Sequence, residues 1–308
     1  MKYALSTNWC SARIESGEEI AAKAIELGFD SLELGFSTTA FQAEGFKRSL
    51  GDISVGSVHA FCPLPVSAPF GNPELYTLAT PDENARAIAR FHLLKTVDFA
   101  SSVGAGAVVL HAGRVGFGAL FSRIRDTASL RAILDKCGGK TDDPAYAKAL
   151  SKARKRRAAA AGKIMDVFLL ELDALSRTLE ERGVVLALEN LPYLEGFPDE
   201  EETKTILEKL RGSPVKAWFD TGHHRVRQMH GWVDSAEPFA PAESFAGMHV
   251  NDVKDFDDDH FAPGGGNVDF AALTDFAHKI PRVVLEPKSH VGEAELSAGL
   301  ARLRSLWG

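Results

Sequence analysis

The chain has 308 residues, 45% of them hydrophobic, and a formal net charge of −7 at neutral pH. This length can bury a full core as two small domains or one α/β barrel, and the negative balance opposes tight non-specific binding to a polyanion, so nucleic acid is a disfavoured partner. Cys10, Cys62 and Cys137 are odd in number and widely spaced, which suggests neither a disulfide framework nor a metal knuckle and points to a reducing cytoplasm; no signal-type apolar core and no bilayer-length run send the chain to a membrane.

Tyr3–Ser6 reads as a first strand. Ser16 to Leu27 reads as a helix, with Glu18 and Glu19 in its first turn and Gly28 at its close. Ser31–Leu34, which carries Glu33, is a second strand, Phe41 to Leu50 a short helix, and Val55–Ala60 a third strand containing His59. A loop with Pro63, Pro65, Pro69 and Pro73 is too rich in proline for regular structure and is of the kind that covers an active site. A helix then starts near Pro81-Asp82-Glu83, and Gly104–His111 forms a fourth strand that ends on an imidazole.

Over about residues 114–146 the alternation lapses. This insertion leaves the carboxyl end of the fourth strand and is longer than a β-to-α connection requires. Val115, Phe117, Leu120 and Phe121 would form an exposed apolar patch in water, so the insertion is expected to be a lid or a contact between copies of the chain. Ile164, Phe168, Leu172, Leu175 and Leu179 then repeat at helical spacing up to Gly183. A fifth strand ends at Glu189-Asn190, and a helix spans Glu200 to Leu210. The sixth strand, from Val215, stops on Asp220, which is followed by Thr221-Gly222-His223-His224. A seventh contains His249, an eighth ends at Glu286, and Glu293 to Leu306 closes the chain as a helix.

Eight such alternations predict a (β/α)8 TIM barrel as one domain over residues 1–308, with the insertion after strand four. No Gly-x-Gly-x-x-Gly follows the first strand, and ligands spread over so many strands need a closed ring to converge. Glu189, Asp220, His249 and Glu286 each stand at a strand end, and three carboxylates with one imidazole suit a single divalent ion such as Mn, Zn, Mg or Co, with no organic cofactor. His59 and His111 serve either as pocket hydrogen-bonders or as ligands. His224 and His230 are expected on a helix surface, Lys152 to Arg157 as a solvated helix start, and Gly264 to Gly266 as a flexible loop carrying His260.

With the strand ends laid out, nearly the whole chain resembles the xylose isomerase-like barrel superfamily, which holds sugar isomerases and epimerases and also the endonuclease IV class of repair enzymes. The resemblance is carried by Leu188-Glu189-Asn190, Phe219-Asp220-Thr221-Gly222-His223, Met248-His249-Val250-Asn251-Asp252, and Asp258-Asp259-His260 followed by Pro263-Gly264-Gly265-Gly266-Asn267. It implies that Glu189, Asp220, His249 and Glu286 bind one metal, with His223 beside the substrate and Glu195 matching a substrate-side glutamate of the ketose epimerases. Lys254 and Asp255 stand where those enzymes are expected to have a substrate-binding arginine. The positions matching the three-zinc endonuclease ligands are His59, His111, Glu189, Asp220, His223, His249, Asp258, His260 and Glu286. The acidic balance and the segment Ala60 to Pro65, which lacks the polar and aromatic residues of a DNA wedge, rank sugar chemistry first.

The expected reaction is metal-assisted proton transfer on a sugar or polyol, phosphorylated or not, through a cis-enediolate, with Glu189 and Glu286 as acid and base on opposite faces. The rival readings are a three-zinc phosphodiesterase acting on abasic DNA and a keto-inositol-type dehydratase.

Overall fold

The computed structural model describes residues 1–116, 126–256 and 259–308. The apolar runs form eight strands: β1 (Tyr3–Ser6), β2 (Ser31–Leu34), β3 (Ser54–His59), β4 (Ala107–Leu110), β5 (Val185–Glu189), β6 (Val215–Asp220), β7 (Phe245–Val250) and β8 (Val283–Leu285). All pair in parallel in chain order, and β8 returns to β1, so the sheet closes into the expected (β/α)8 barrel.

The helices are α1 (Gly17–Glu26), α2 (Ala40–Arg48), α3 (Glu83–Ser102), α4 (Asp126–Lys136), α5 (Pro144–Ala161), α6 (Met165–Arg182), α7 (Glu200–Lys209), α8 (Thr221–Met229), α9 (Thr274–Ala277) and α10 (Glu293–Trp307). Several start where a capping side chain stands. Ser16 accepts from the Glu19 amide, and Thr39 and Asp199 form reciprocal capping boxes with Gln42 and Glu202. None of the helices among the described residues is long and apolar enough to cross a membrane.

Strand periodicity positions the site. Ala4, Val109, Ala187, Trp218 and Val284 meet inside the ring, with Ala107 and Ala246, as an apolar plug. Side chains two residues apart share a face, so the next inward positions are Ser6, His111, Glu189, Asp220 and Glu286. The odd-phase residues Leu5, Val108, Leu186, Leu188, Phe219 and Leu285 point outward into the main core under the helices. The Trp218 indole fits because β7 offers Gly247: a Cβ there would lie 2.4 Å from the ring. The plug therefore forms a rigid floor beneath the inward polar layer.

The insertion falls partly outside the described residues, among them Phe117, Leu120 and Phe121. Its described part forms α4 and the start of α5. Leu130, Leu134, Tyr146, Leu150 and Ala153 from these helices pack with Leu194 and Trp232 into a core of their own, and Val115 is buried against the main core.

The basic run, expected as a solvated helix start, lies in the middle of α5 and is solvated only in part. Arg157 is buried, donates to the Leu194 and Gly196 carbonyls, and pairs with Asp199 and Glu202. Arg154 donates to the Gly231 and Trp232 carbonyls, and Arg156 pairs with Asp126. The cations do wrap around the helix, but the side toward the barrel meets backbone carbonyls and carboxylates from loops distant in sequence.

Candidate functional site

Glu189, Asp220, His249 and Glu286 converge at the carboxyl end of the barrel, each with a donor atom within 4.8 Å of the others. All four are buried. His249 Nδ1 lies 3.0 Å from Glu286 Oε2, 3.2 Å from Glu189 Oε1 and 3.7 Å from Asp220 Oδ2. The register sets this up, because Asp220 and His249 are direct partners on β6 and β7.

Asp220 is held on every side. Asn251 donates to its Oδ2 at 2.9 Å, and its Oδ1 accepts the His223 amide at 2.7 Å as the N-cap of α8. The side chain of Asn190 brackets its backbone. A helix therefore begins directly at the strand end, and it carries His223 at the first turn.

Two further groups of candidate ligands adjoin the first: His59, His111 and Glu189, and Asp220, His223 and His260. His59 and His111 present Nε2 to Glu189 Oε2 at 3.3 and 3.2 Å. Several of these imidazoles have one nitrogen committed as a donor. Nδ1 of His59, His223 and His260 donates to the Ala60, Asn190 and Glu286 carbonyls, and Nε2 of His249 donates to Glu33. Carbonyls and carboxylates only accept, so whenever one of these rings is neutral its other nitrogen is the one with the free lone pair.

The residues fit a divalent cation. Glu189 Oε2 is enclosed and has no hydrogen-bond donor, and Nδ1 of His249, a lone pair when the ring is neutral, faces carboxylate oxygens at 3.0 and 3.2 Å. Such an arrangement is costly unless a positive charge stands among these atoms. Mixed oxygen and imidazole donors suit Mn, Zn or Co. His260, at φ +61, is the non-glycine residue in the left-handed region among those described, and it is held there by Asn251 and by the Glu286 carbonyl. Backbone in that region collects at functional sites.

Without a cation, protons supply the charge. Burial lowers the His111 pKa, but Glu189 and Glu74 outweigh it and push the value up to about 9. Burial likewise lowers His223, yet Asp220 and Glu189 carry it to about 10. His249 is raised well above its ordinary value against burial by Glu286, Glu33 and Glu189.

A histidine raised in this way stabilises the fold fully below its unfolded pKa, about 6.5, and the contribution is lost as pH rises through the folded values near 9 and 10. The ion-free protein is therefore expected to melt at a lower temperature at pH 9.5 than at pH 6. Cation uptake near neutral pH is expected to release roughly one to two protons per ion. Calorimetric titration in two buffers of different ionisation heat measures that release, and uptake without proton release would refute the assignment.

A cavity of about 500 Å³ opens above the cluster, lined by Asn8, Phe36, His59, Pro73, His111, Thr127, Tyr193, His223, Phe256, Asp259, His260, Glu286 and Lys288. Pro73 brings the proline-rich loop to it. Asn8, Phe36, Tyr193, Phe256 and Lys288 carried no recognised signal in the sequence, although Asn8 and Lys288 each stand two residues beyond an inward strand-end position. Burial raises the Asp259 pKa, but His260, His223 and Lys288 together hold it at about 2. Lys288 pairs with it at 2.9 Å.

The other expected site residues are dispersed. Asp258 lies outside the described residues. Lys254 stands over the Phe261 ring, with Nζ 3.8 Å from its centroid, and borders a separate groove with Gly264 and Arg302. Gly264 and Gly266 donate their amides to Asp252 Oδ2, so this loop cradles the chain's own carboxylate. His224 and His230 are buried rather than on a helix surface: one packs beside Phe219, the other between Trp232 and Phe256, because α8 faces the core on one side and the insertion on the other.

Glu195 accepts from the amide and hydroxyl of Thr127 and so ties the start of α4 to the rim. Glu195→Ala is expected to lower kcat/KM about ten-fold by loosening the Thr127 wall, with cation binding unchanged. Steady-state kinetics alongside a metal titration checks this, and wild-type kinetics would refute it.

A family model described as xylose isomerase-like TIM barrel matches residues 21–306. Similar solved structures include 3-keto-D-glucoside 4-epimerase, YcjR, from E. coli, at 16% identity and a TM-score of 0.65 over 99% of both chains. D-Psicose 3-epimerase with D-tagatose from Clostridium cellulolyticum H10 is similar at 15% identity and a TM-score of 0.65, over 100% of this chain and 99% of that one. The IolI protein with a zinc atom is similar at 14% identity and a TM-score of 0.65, with the same coverage. No curated protein matches the chain in sequence.

Proposed function

The chain belongs to the xylose isomerase-like TIM barrel family, and from that premise we propose that it is a divalent-metal-dependent isomerase or epimerase of a sugar or related polyol. The observation that carries the reading is that two buried carboxylates, Glu189 and Glu286, approach one imidazole nitrogen from different strands, below a cavity large enough for a sugar. The names of similar folds, a 3-keto-D-glucoside 4-epimerase and a D-psicose 3-epimerase, support it.

Glu189, Asp220, His249 and Glu286 would hold the ion. When bound, it supplies Lewis-acid polarisation of a carbonyl and an adjacent hydroxyl. The protein's own part is proton transfer. Glu189 and Glu286 act as acid and base at the carbon beside the carbonyl, one taking its proton and the other returning one to the opposite face. Asn8, donating to Glu286 Oε1 at 3.1 Å, fixes the orientation of that carboxylate. His111, His223 and His260 line the cavity and hydrogen-bond sugar hydroxyls, while Phe36, Tyr193 and Phe256 shield the reacting carbon from water.

The test is a panel of ketoses, aldoses and keto-glycosides incubated with the Mn²⁺-loaded protein in D₂O, with products followed by NMR. Deuterium entering one carbon of substrate and product supports the reading. No exchange in any sugar would overturn it.

A second reading, a three-ion phosphodiesterase, is favoured by one observation: the three candidate ligand groups share Glu189 and Asp220. Cleavage of a duplex carrying an abasic site tests it.

A further inference from the structure

The polar layer contains a carboxylate that neither borders the cavity nor belongs to the four-residue centre. Glu33, on β2, is fully buried, and its Oε1 lies 2.8 Å from His249 Nε2 on β7, a strand that does not pair with β2. Its other oxygen accepts the Ser57 hydroxyl at 2.8 Å, and the β2–β3 register shifts between Leu32 and Glu33 so that Glu33 stands opposite Ser57. Below this layer the barrel interior is apolar.

A buried carboxylate bound to one neutral hydroxyl and one imidazole adds little net stability, because desolvation offsets most of the attraction. Its definite consequence is geometric. A carboxylate only accepts, so His249 carries a proton on Nε2, and Nδ1 is the nitrogen left to give its lone pair to an ion. That nitrogen is the one turned toward Glu189, Asp220 and Glu286. The ring has little freedom to turn away, lying edge-on to Trp218 at 5.1 Å and stacked on His59 at 5.9 Å.

We propose that Glu33, anchored by Ser57, is a positioning residue that fixes the tautomer and orientation of His249 and thereby sets the affinity of the four-residue centre for its divalent ion. The proposal rests on the metal-dependent reading above. Without Glu33 the imidazole divides between two tautomers, and the ligand nitrogen is less basic, because carboxylates that hold metal-bound histidines raise their donor strength.

Co²⁺ alone is the probe, titrated into the purified ion-free protein and followed by its visible absorption. Glu33→Gln keeps the volume but replaces an acceptor-only group with an amide that can turn either its carbonyl or its NH₂ to His249, so it removes both the charge and the fixed acceptor. It is expected to weaken Co²⁺ binding by roughly 10- to 100-fold and to alter the cobalt band shape. Ser57→Ala, a smaller change, is expected to weaken binding about five-fold. A folded Glu33→Gln protein with wild-type affinity and spectrum would overturn the proposal. Should that variant fail to fold, Ser57→Ala decides: wild-type affinity there overturns it. Wild-type protein that takes up no Co²⁺ would instead remove the metal-dependent reading, and this proposal with it.

Discussion

Glu189→Gln and Glu286→Gln are each expected to cut turnover by roughly a thousand-fold or more, the range in which a positioned acid or base acts. Glutamine matches glutamate in size, so the barrel floor and the plug around Trp218 stay packed, but it cannot take a proton. Each substitution also removes one negative charge from the donor set, so kinetics must be measured at saturating Mn²⁺ to separate lost chemistry from lost ion. Solvent exchange gives a sharper signature. If the two carboxylates serve opposite faces of one carbon, each single variant keeps deuterium exchange on one epimer while interconversion stops. Wild-type turnover in either variant would end the acid and base assignment, and exchange lost from both epimers in both variants would point to a single shared base.

Much of the site was legible in the sequence because barrel geometry makes it so. An apolar strand of period two that ends on Glu189, Asp220 or Glu286 has little choice but to place that residue inward, one step above the plug. Other features depend on partners that periodicity cannot supply. Glu33 was visible as a charged residue in a strand, but its role depends on His249, 216 residues away. Arg157 reads as part of a solvated basic run until the Leu194 and Gly196 carbonyls are placed beside it. His224 and His230 lie on a helix whose outer side is covered by the insertion, and the pattern of α8 alone does not reveal that cover. Asp220 serves as both candidate ligand and N-cap of α8, a double use that strand periodicity alone does not show.

Chelation is expected to abolish turnover, and one equivalent of Mn²⁺ per chain is expected to restore it. The alternative of three ions uses the same residues, so the argument for one turns on charge. A single dication among Glu189, Asp220 and Glu286 leaves a small negative balance on the floor of the cavity, and Asp259 is already paired with Lys288, an environment that repels a phosphodiester and admits an uncharged sugar. Three dications would leave the same cavity strongly cationic, which suits a phosphodiester, on a chain whose net charge of −7 opposes approach to a polyanion. His59 and His111 discriminate further. With one ion they hydrogen-bond substrate, so His59→Ala and His111→Ala should lower kcat/KM by about 10- to 100-fold while metal content stays at about one per chain. With three ions, each substitution should cost an ion. Elemental analysis of wild-type and variant proteins, purified without added metal, reads both outcomes at once. Three zincs in the wild type, two in the histidine variants and cleavage of an abasic duplex would reverse the functional reading.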